Sequence, residues 1–259
     1  MFPCGTTSEG LLLSPDERRE VVEEVIRSVD KKTPVVVHTG AMDLATTIEL
    51  TRHARDCGAL AASIVTPWYY LYDDEALFQY YRTVARAVDK FPILLYNIPA
   101  CGRNVLHPEL VLRLAEAEEN IVGIKDSSGD MTLTSEFLRL TKTKEKDFKV
   151  FGGKDTLIYG ALAHGADGAV ATMANFCPEL VVSIYEKYVA GDLKGSLEAQ
   201  FRLNPVRLAM DRASFPVATK DMAKLLGLDV GEPFRPNLSS AGDVLEYMKK
   251  RMQQGGLLP

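Results

Sequence analysis

The chain has 259 residues, of which 46% are hydrophobic and 25% are charged, and its formal net charge is −5. This is the composition of an ordinary globular protein, and mild acidity with mixed charges argues against nucleic acid as the main partner. No run of about eighteen apolar residues occurs, and no basic segment precedes an apolar run at the start. We therefore expect neither a membrane span nor a secretory signal.

Short apolar runs alternate with segments of helical spacing along most of the chain. The predicted strands are 34–37, 61–65, 93–96, 121–124, 150–151 and 168–171, with a partial strand at 2–4. The predicted helices between them are 14–29, 43–57, 73–88, 107–115, 133–141 and 155–163. Nearly continuous apolar strands that alternate with helices predict a parallel sheet covered by helices. The first helix has a clear start, because Ser14 and Glu17 are spaced as a capping box.

After about residue 176 the predicted strands stop and only helices follow, at 176–190, 193–209, 217–226 and 241–253. The α/β pattern predicts a (β/α)8 TIM barrel with a C-terminal helical extension, in which the first βα unit is missing. Residues 1–175 are the predicted barrel, which is short at its N-terminus. Residues 176–259 are the predicted last barrel helix and the extension.

The cysteines bear on the cellular compartment. The four are far apart and include no CxxC pair: Cys4, Cys57, Cys101 and Cys177. A disulfide framework is therefore not expected, and a cytoplasmic location is predicted.

Lys125 ends the apolar strand 121–125, and functional groups of such barrels lie at the C-terminal ends of the strands. Desolvation favours the neutral form of a lysine amine, which is the form that attacks a carbonyl carbon to give a Schiff base. The alternative is a lysine that extends to solvent or pairs with the neighbouring Asp126. From spacing alone, both interpretations stay open.

Tyr96 ends the preceding strand, so a parallel sheet would place its phenol near Lys125, where it could move a proton. The alternative is a buried tyrosine with a hydrogen-bonded hydroxyl. Thr6 and Thr7 follow Gly5 at the end of the partial strand, and their hydroxyl and N–H groups could hold a carboxylate. A plain turn between a strand and a helix is the alternative there.

Three motifs occur in order along the chain: GTTSEG at 5–10, YNIP at 96–99 and GIKDSSGD at 123–130. Together with TPWYY at 66–70 and GGKD at 152–155, they resemble the dihydrodipicolinate synthase / N-acetylneuraminate lyase family of class I pyruvate-dependent aldolases. The resemblance covers essentially the whole chain. It implies a lyase that condenses pyruvate with an aldehyde, or cleaves a 2-oxo acid to pyruvate, and that needs neither a metal nor another cofactor.

The resemblance also implies roles for individual residues. Lys125 would form the imine with pyruvate, Tyr96 would relay protons, and Thr6 and Thr7 would bind the pyruvate carboxylate. The backbone of Val170 would contact pyruvate. A further expectation is a homotetramer or homodimer in which Tyr69 reaches the neighbouring subunit's site and completes the proton relay.

The sequence departs from the synthase pattern after the YNIP motif. Where synthases of the family carry an arginine that binds the carboxylate of aspartate semialdehyde, this chain has Cys101, with Arg103 two residues further on. Arg103 is therefore a candidate substrate-binding residue from a shifted loop. An aldolase for a sugar-derived 2-oxo acid, such as 2-keto-3-deoxygluconate, is as compatible with this pattern as a 4-hydroxy-tetrahydrodipicolinate synthase of lysine biosynthesis.

Three further alternatives stay open. A metal-dependent aldolase would need clustered ligands, but the four histidines show no HxH or HExxH spacing, and only His38 ends a strand. A phosphate-binding barrel is possible because Gly152 and Gly153 could cradle a phosphate at a helix start. The third is a truncated, inactive family member that acts as an oligomerisation or binding module.

Overall fold

The structure is a computed structural model that describes residues 1–143 and 146–259. The chain forms two units, of which the first comprises residues 1–153 with 164–167 and the second residues 154–163 with 168–259. The domain division predicted after residue 175 stays a prediction.

Parallel strands alternate with helices in the first unit. In chain order its elements are α1 (Pro15–Val29), β1 (Val36–His38), α2 (Leu44–Asp56), β2 (Ala61–Val65), α3 (Asp74–Ala87), β3 (Ile93–Asn97), α4 (Pro99–Gly102), α5 (Pro108–Ala117), β4 (Ile121–Asp126), α6 (Met131–Thr141), β5 (Lys142–Thr143), β6 (Lys146–Asp147) and β7 (Lys149–Gly152). A short 3₁₀ helix, Gly10–Leu12, precedes α1. The order of neighbouring strands is β1-β2-β3-β4-β7, and each of these pairs is parallel.

The register of the strands decides which residues share a face of the sheet. His38 lies opposite Ser63, and Tyr96 lies opposite both Val65 on β2 and Lys125 on β4. Because side chains alternate along a strand, these five residues point to the same face. That face therefore carries the polar side chains of His38, Ser63, Tyr96 and Lys125.

The other face of the sheet packs against helices and supplies the core of the first unit. Its strand residues are fully buried: Ala62, Ile64, Ile93, Leu95, Ile124 and Val150. They meet buried side chains of the covering helices, including Leu77, Leu114 and Phe137. Burial of each large side chain contributes about 1.5–3 kcal/mol to folding, so this core fixes the sheet on which the strand-end residues stand.

The start of α1 follows the sequence prediction. The Ser14 side chain accepts a hydrogen bond from the backbone N–H of Glu17, and the Glu17 carboxylate accepts one from the backbone N–H of Ser14. The capping box is therefore confirmed. It satisfies two backbone donors that the first turn of a helix leaves unpaired.

Residues 2–4 form a turn, where a partial strand was predicted. The segment still pairs with β1, because Val36 N donates to Met1 O at 2.9 Å and His38 N donates to Pro3 O at 3.1 Å. Cys4 has a φ of 59°, in the left-handed region, so the chain turns away after two such bonds. The segment therefore lies beside β1, but the predicted strand conformation is wrong.

The second unit is mainly helical. Its elements are α7 (Ile158–Ala163), the short strand β8 (Gly168–Ala169), α8 (Pro178–Val189), α9 (Leu193–Ala209), α10 (Val217–Leu225) and α11 (Gly242–Gln254). The 3₁₀ helices Asp155–Leu157, Thr172–Asn175 and Met210–Arg212 connect them. The core includes Ile184, Leu203, Val206, Met222 and Met248, all fully buried. The predicted helical tail is therefore confirmed, and α9 has the bounds that its sequence pattern predicts.

The predicted α/β class with a parallel sheet is confirmed. The predicted barrel has eight strands. The described residues form six strands that alternate with helices, namely β1 to β4, β7 and β8. The segment at the start of the chain also pairs with β1. The antiparallel pairing of β5 with β6 was not predicted. Among the described residues, no helix is both long enough and apolar enough to cross a membrane.

Candidate active site

Lys125 lies next to Tyr96 because β3 and β4 pair in register at these two residues. The lysine is only 7% exposed. Its Nζ lies 4.1 Å from the centroid of the Tyr96 ring and 4.4 Å from that of Phe2. The amine is thus enclosed between two aromatic rings, and the alternative of a lysine that extends to solvent is not supported.

The alternative of a pair with Asp126 is not supported either. The Asp126 carboxylate accepts hydrogen bonds from Asn97 Nδ2 at 2.9 Å and from Thr134 Oγ1 at 2.6 Å, and it also accepts from the backbone and hydroxyl of Ser128. Lys125 has no hydrogen bond or ion pair with any residue that the structure describes. A buried amine without a carboxylate partner is a candidate nucleophile.

The pair of Asn97 and Asp126 fixes the strand ends on which Tyr96 and Lys125 stand. These two residues lie opposite one another in the register, one step beyond the tyrosine and the lysine. Asn97 Oδ1 also accepts a hydrogen bond from Leu106 N at 3.0 Å. Both side chains are buried, and the network therefore holds β3 and β4 at a fixed spacing.

Thr6 joins this group through its side chain. Its Oγ1 lies 3.2 Å from the Tyr96 hydroxyl, and either oxygen can be the donor. The preceding Gly5 allows Phe2 to pack closely, because a Cβ at this position would lie 3.0 Å from Phe2 Cε1. Thr7 is half-buried beside Thr6. The turn therefore supplies a hydroxyl to the phenol and an aromatic ring to the amine.

Tyr69 and Arg103 lie together on exposed loops. Arg103 Nη1 donates to the backbone oxygen of Tyr69 at 3.0 Å. The Tyr69 side chain is 66% exposed, and its ring packs edge-on against Tyr70 with centroids 5.0 Å apart. The Tyr69 hydroxyl has no hydrogen bond with any described residue. Tyr69 is thus not joined by hydrogen bonds to the group of Lys125, Tyr96 and Thr6.

Asn104 positions that loop and was missed by the sequence analysis. Its amide nitrogen donates to Pro67 O at 2.8 Å and to Tyr70 O at 2.9 Å, and its amide oxygen accepts from Tyr72 N at 2.9 Å. Such a buried asparagine fixes the backbone around Tyr69. An asparagine in a loop is too common in sequences to signal this function.

Val170 lies in the second unit, directly after β8, and is half-buried. From the sequence, His38 is a candidate only for a metal ligand. The structure instead places its ring on the same sheet face as Tyr96, with ring centroids 5.8 Å apart. The signal that could have identified it is its position, since His38 is the last residue of a strand.

Among the described residues, one group of three or more possible metal ligands occurs: Glu23, His53 and Cys57. These residues lie on α1 and at the end of α2, and none is a predicted site residue. His53 Nε2 already pairs with Glu23 Oε1 at 2.9 Å. The group of Lys125, Tyr96 and Thr6 contains no ligand cluster of this kind.

The first unit thus has the features of an enzyme that acts on carbonyl compounds: a buried amine, a phenol beside it, and both at neighbouring strand ends of a parallel sheet. A family model described as the dihydrodipicolinate synthetase family matches residues 1–254. The chain belongs to this family, whose members are lyases of the class I aldolase type. The sequence predictions of the family and of a lyase are confirmed.

Individual relatives agree with this assignment. A 4-hydroxy-tetrahydrodipicolinate synthase from Methanothrix thermoacetophila is 39% identical over 243 residues, which are 94% of this chain and 80% of the relative. One from Thermus thermophilus is 36% identical over 256 residues, which are 98% of this chain and 84% of the relative.

Solved structures give the same result for the fold. A prophage protein of the dihydrodipicolinic acid synthase family from E. coli K12, solved in complex with pyruvate, has a TM-score of 0.94 at 28% identity. The match covers 99% of this chain and 86% of that one. A dihydrodipicolinate synthase from Thermotoga maritima has a TM-score of 0.94 at 29% identity. That match covers 99% of this chain and 87% of the synthase chain.

Proposed function

We propose that the protein forms a Schiff base between Lys125 and pyruvate, and that it joins the resulting enamine to an aldehyde or runs the reverse cleavage. The observation that carries the proposal is the buried Nζ of Lys125, 4.1 Å from the Tyr96 ring and unpaired among the described residues. The E. coli relative solved with pyruvate supports the choice of the first substrate.

The roles follow from the contacts. The unprotonated form of the Lys125 amine adds to C2 of pyruvate and gives a carbinolamine, and the Tyr96 hydroxyl donates the proton with which the C2 hydroxyl leaves as water. Thr6, bonded to that hydroxyl, orients it. The protonated imine then accepts electrons when C3 gives its proton to the Tyr96 oxygen, and the enamine carbon attacks the aldehyde, whose oxygen takes that proton from Tyr96. Water releases the product and restores the amine, so no metal or other cofactor is required.

The remaining predicted roles are part of the proposal. Thr7 binds the pyruvate carboxylate together with Thr6, and the Val170 backbone contacts pyruvate. Tyr69 serves the site of a neighbouring subunit in a homotetramer or homodimer, which is supported by its exposed position. The fold around the site is a (β/α)8 barrel, supported by the similarity to the solved synthases. A cytoplasmic location is part of the proposal and is supported by the wide spacing of the four cysteines in the sequence.

For the second substrate we propose an aldehyde that carries a carboxylate, as in 4-hydroxy-tetrahydrodipicolinate synthesis. The names of the relatives support this choice. Arg103 supports it as well, because the structure shows one hydrogen bond from its exposed guanidinium, to the Tyr69 backbone. The remaining N–H groups of Arg103 could bind a carboxylate. An aldolase for sugar-derived 2-oxo acids is the second candidate, favoured by Cys101 in place of the arginine of typical synthases.

A substrate panel tests the proposed function. Purified protein is supplied with pyruvate and either aspartate semialdehyde or glyceraldehyde, and product formation is followed by mass spectrometry. We expect turnover with aspartate semialdehyde to exceed turnover with glyceraldehyde. The reverse preference would favour the sugar-type aldolase. No turnover of either, from folded protein by circular dichroism and size-exclusion chromatography, would favour the inactive module.

We expect Arg103→Ala to raise KM for aspartate semialdehyde by about 10- to 100-fold, since a hydrogen bond to a charged group contributes about 1.5–3 kcal/mol. KM for pyruvate should stay unchanged. Steady-state kinetics with each substrate varied in turn gives both values. Arg27→Ala is the matched control, because Arg27 is exposed and pairs with Glu24 on the same helix. An unchanged KM for the semialdehyde in Arg103→Ala would remove Arg103 from the binding site.

We expect Tyr96→Phe to lower kcat on the order of 10²-fold or more, because the ring stays and only the proton-transferring hydroxyl is lost. Thr6→Val should have a smaller effect in the same direction, since it removes only the partner of that hydroxyl. Tyr80→Phe is the control, because its hydroxyl is also hydrogen-bonded to a threonine, Thr47. The role of Tyr96 would be refuted if Tyr96→Phe and Tyr80→Phe behaved alike.

A further inference from the structure

His38 is a buried residue on the face of the sheet that carries the candidate active site. It ends β1, lies opposite Ser63 on β2, and is 2% exposed. Its ring meets that of Tyr96 nearly at right angles, at 86°. Neither the sequence pattern nor the mechanism proposed above gives this histidine a function.

The protonation state of His38 follows from its contacts. Nδ1 lies 3.0 Å from the backbone oxygen of Cys4. Since a carbonyl oxygen can only accept, Nδ1 carries the proton and Nε2 has a free lone pair. Burial, together with the positive charges of Arg18 and Lys125, lowers the pKa of His38 to about 3. The ring is therefore neutral at physiological pH.

The lone pair of Nε2 has no partner among the residues that the structure describes. The same is true of the buried hydroxyl of Ser63, directly opposite. Buried polar atoms without partners are rare in native proteins because they cost free energy. Gly40 lies close to this nitrogen and adds no side chain beside it; a Cβ there would lie only 3.2 Å from Nε2 and 3.0 Å from Val65 Cγ1.

We propose that His38 is a further residue of the reaction site, whose Nε2 accepts a hydrogen bond from an O–H group of the reacting molecules. The inference rests on the proposed function and assigns one more group to it. Two O–H donors arise in that chemistry. One is the hydroxyl of the carbinolamine, which leaves as water when the imine forms, and the other is the hydroxyl that the aldehyde oxygen becomes after carbon–carbon bond formation.

Two substitutions test the contributions of the two nitrogens of the His38 ring separately. In His38→Asn the amide N–H can replace Nδ1 as the donor to Cys4 O, and the acceptor at Nε2 is lost. In His38→Gln the longer side chain can place an amide oxygen near the position of Nε2, and the donor to Cys4 is lost. Near-UV circular dichroism shows whether each variant keeps the native fold.

Two rates are then measured for the wild type and both variants. The rate of imine formation is obtained by mixing the protein with pyruvate alone and quenching with borohydride at increasing times, with intact mass as the readout. The rate of complete turnover is obtained with pyruvate and aspartate semialdehyde. We expect His38→Asn to slow at least one rate about tenfold, the equivalent of one lost hydrogen bond, and His38→Gln to stay close to the wild type.

The rates of imine formation and of complete turnover distinguish the two possible O–H donors to His38. Slower imine formation in His38→Asn identifies the carbinolamine hydroxyl, whereas an effect on complete turnover alone identifies the hydroxyl of the second substrate. The inference is overturned if His38→Asn matches the wild type, or if both variants are slowed equally, which indicates packing or the contact with Cys4. A wild type that traps no pyruvate contradicts the proposed function itself and removes the inference with it.

Discussion

Replacing Lys125 with alanine is expected to lower turnover by roughly 10⁴-fold or more, as the loss of a covalent nucleophile does in other enzymes. The same substitution should abolish the adduct that borohydride reduction leaves on the protein in the presence of pyruvate. The adduct in the wild type is expected on the peptide that contains Lys125. Intact mass and peptide mapping measure both the presence and the position of the adduct.

Lys149→Ala is the matched control for this experiment. Lys149 lies on β7, beside β4 in the sheet, but its amine is partly exposed and pairs with Asp147 and Asp167. It should therefore keep both turnover and the adduct. If Lys125→Ala retained the adduct, or lost less than about tenfold in turnover while folded, the amine that forms the imine would have to be another one.

Asp126→Ala is expected to destabilise the protein by about 3 kcal/mol or more. The carboxylate is 3% exposed, and its removal leaves Asn97 Nδ2 and the Ser128 hydroxyl without their acceptor. It also deprives Thr134 of one of its two acceptors. Each buried donor left unpaired costs about 1–3 kcal/mol. Urea unfolding followed by circular dichroism measures the change in free energy.

Asp130→Ala serves as the control for Asp126→Ala. Asp130 also accepts hydrogen bonds near the end of β4, but it does so as the exposed N-cap of α6, where a loss of about 1 kcal/mol is expected. Equal losses in the two variants would mean that the buried network contributes little. We also expect Asp126→Ala to lower kcat in the fraction that folds, because the spacing of Tyr96 and Lys125 depends on it.

Much of the fold could be predicted because the apolar pattern of a segment agrees with the helix or strand that the segment forms in the fold. Strand β2 and helix α9 have the bounds that their apolar patterns predict, since a buried strand and a long helix differ clearly in period. The pairing of β5 with β6 could not be predicted, because two-residue strands are too short to show a periodic pattern. The turn at residues 2–4 depends on the positive φ of Cys4, which a non-glycine residue does not signal.

The candidate site was predictable where it depends on strand order alone. Neighbouring parallel strands bring Tyr96 next to Lys125 in any sheet of this order, and both residues end their strands. The sequence could not decide whether Lys125 pairs with Asp126, because that depends on Thr134 and Asn97, which the fold brings to the carboxylate. The free nitrogen of His38 was equally hidden, since it depends on the Cys4 carbonyl 34 residues away.

The contact between Thr6 and Tyr96 joins residues 90 positions apart, and the register joins Tyr96 to Lys125 on a later strand. Contacts of such sequence separation form slowly, because the loops between them must close first. The reactive group of the first unit is therefore complete only after β3 and β4 have paired and Thr6 has reached Tyr96. A chain whose synthesis has not passed β4 lacks Lys125 and with it the proposed nucleophile.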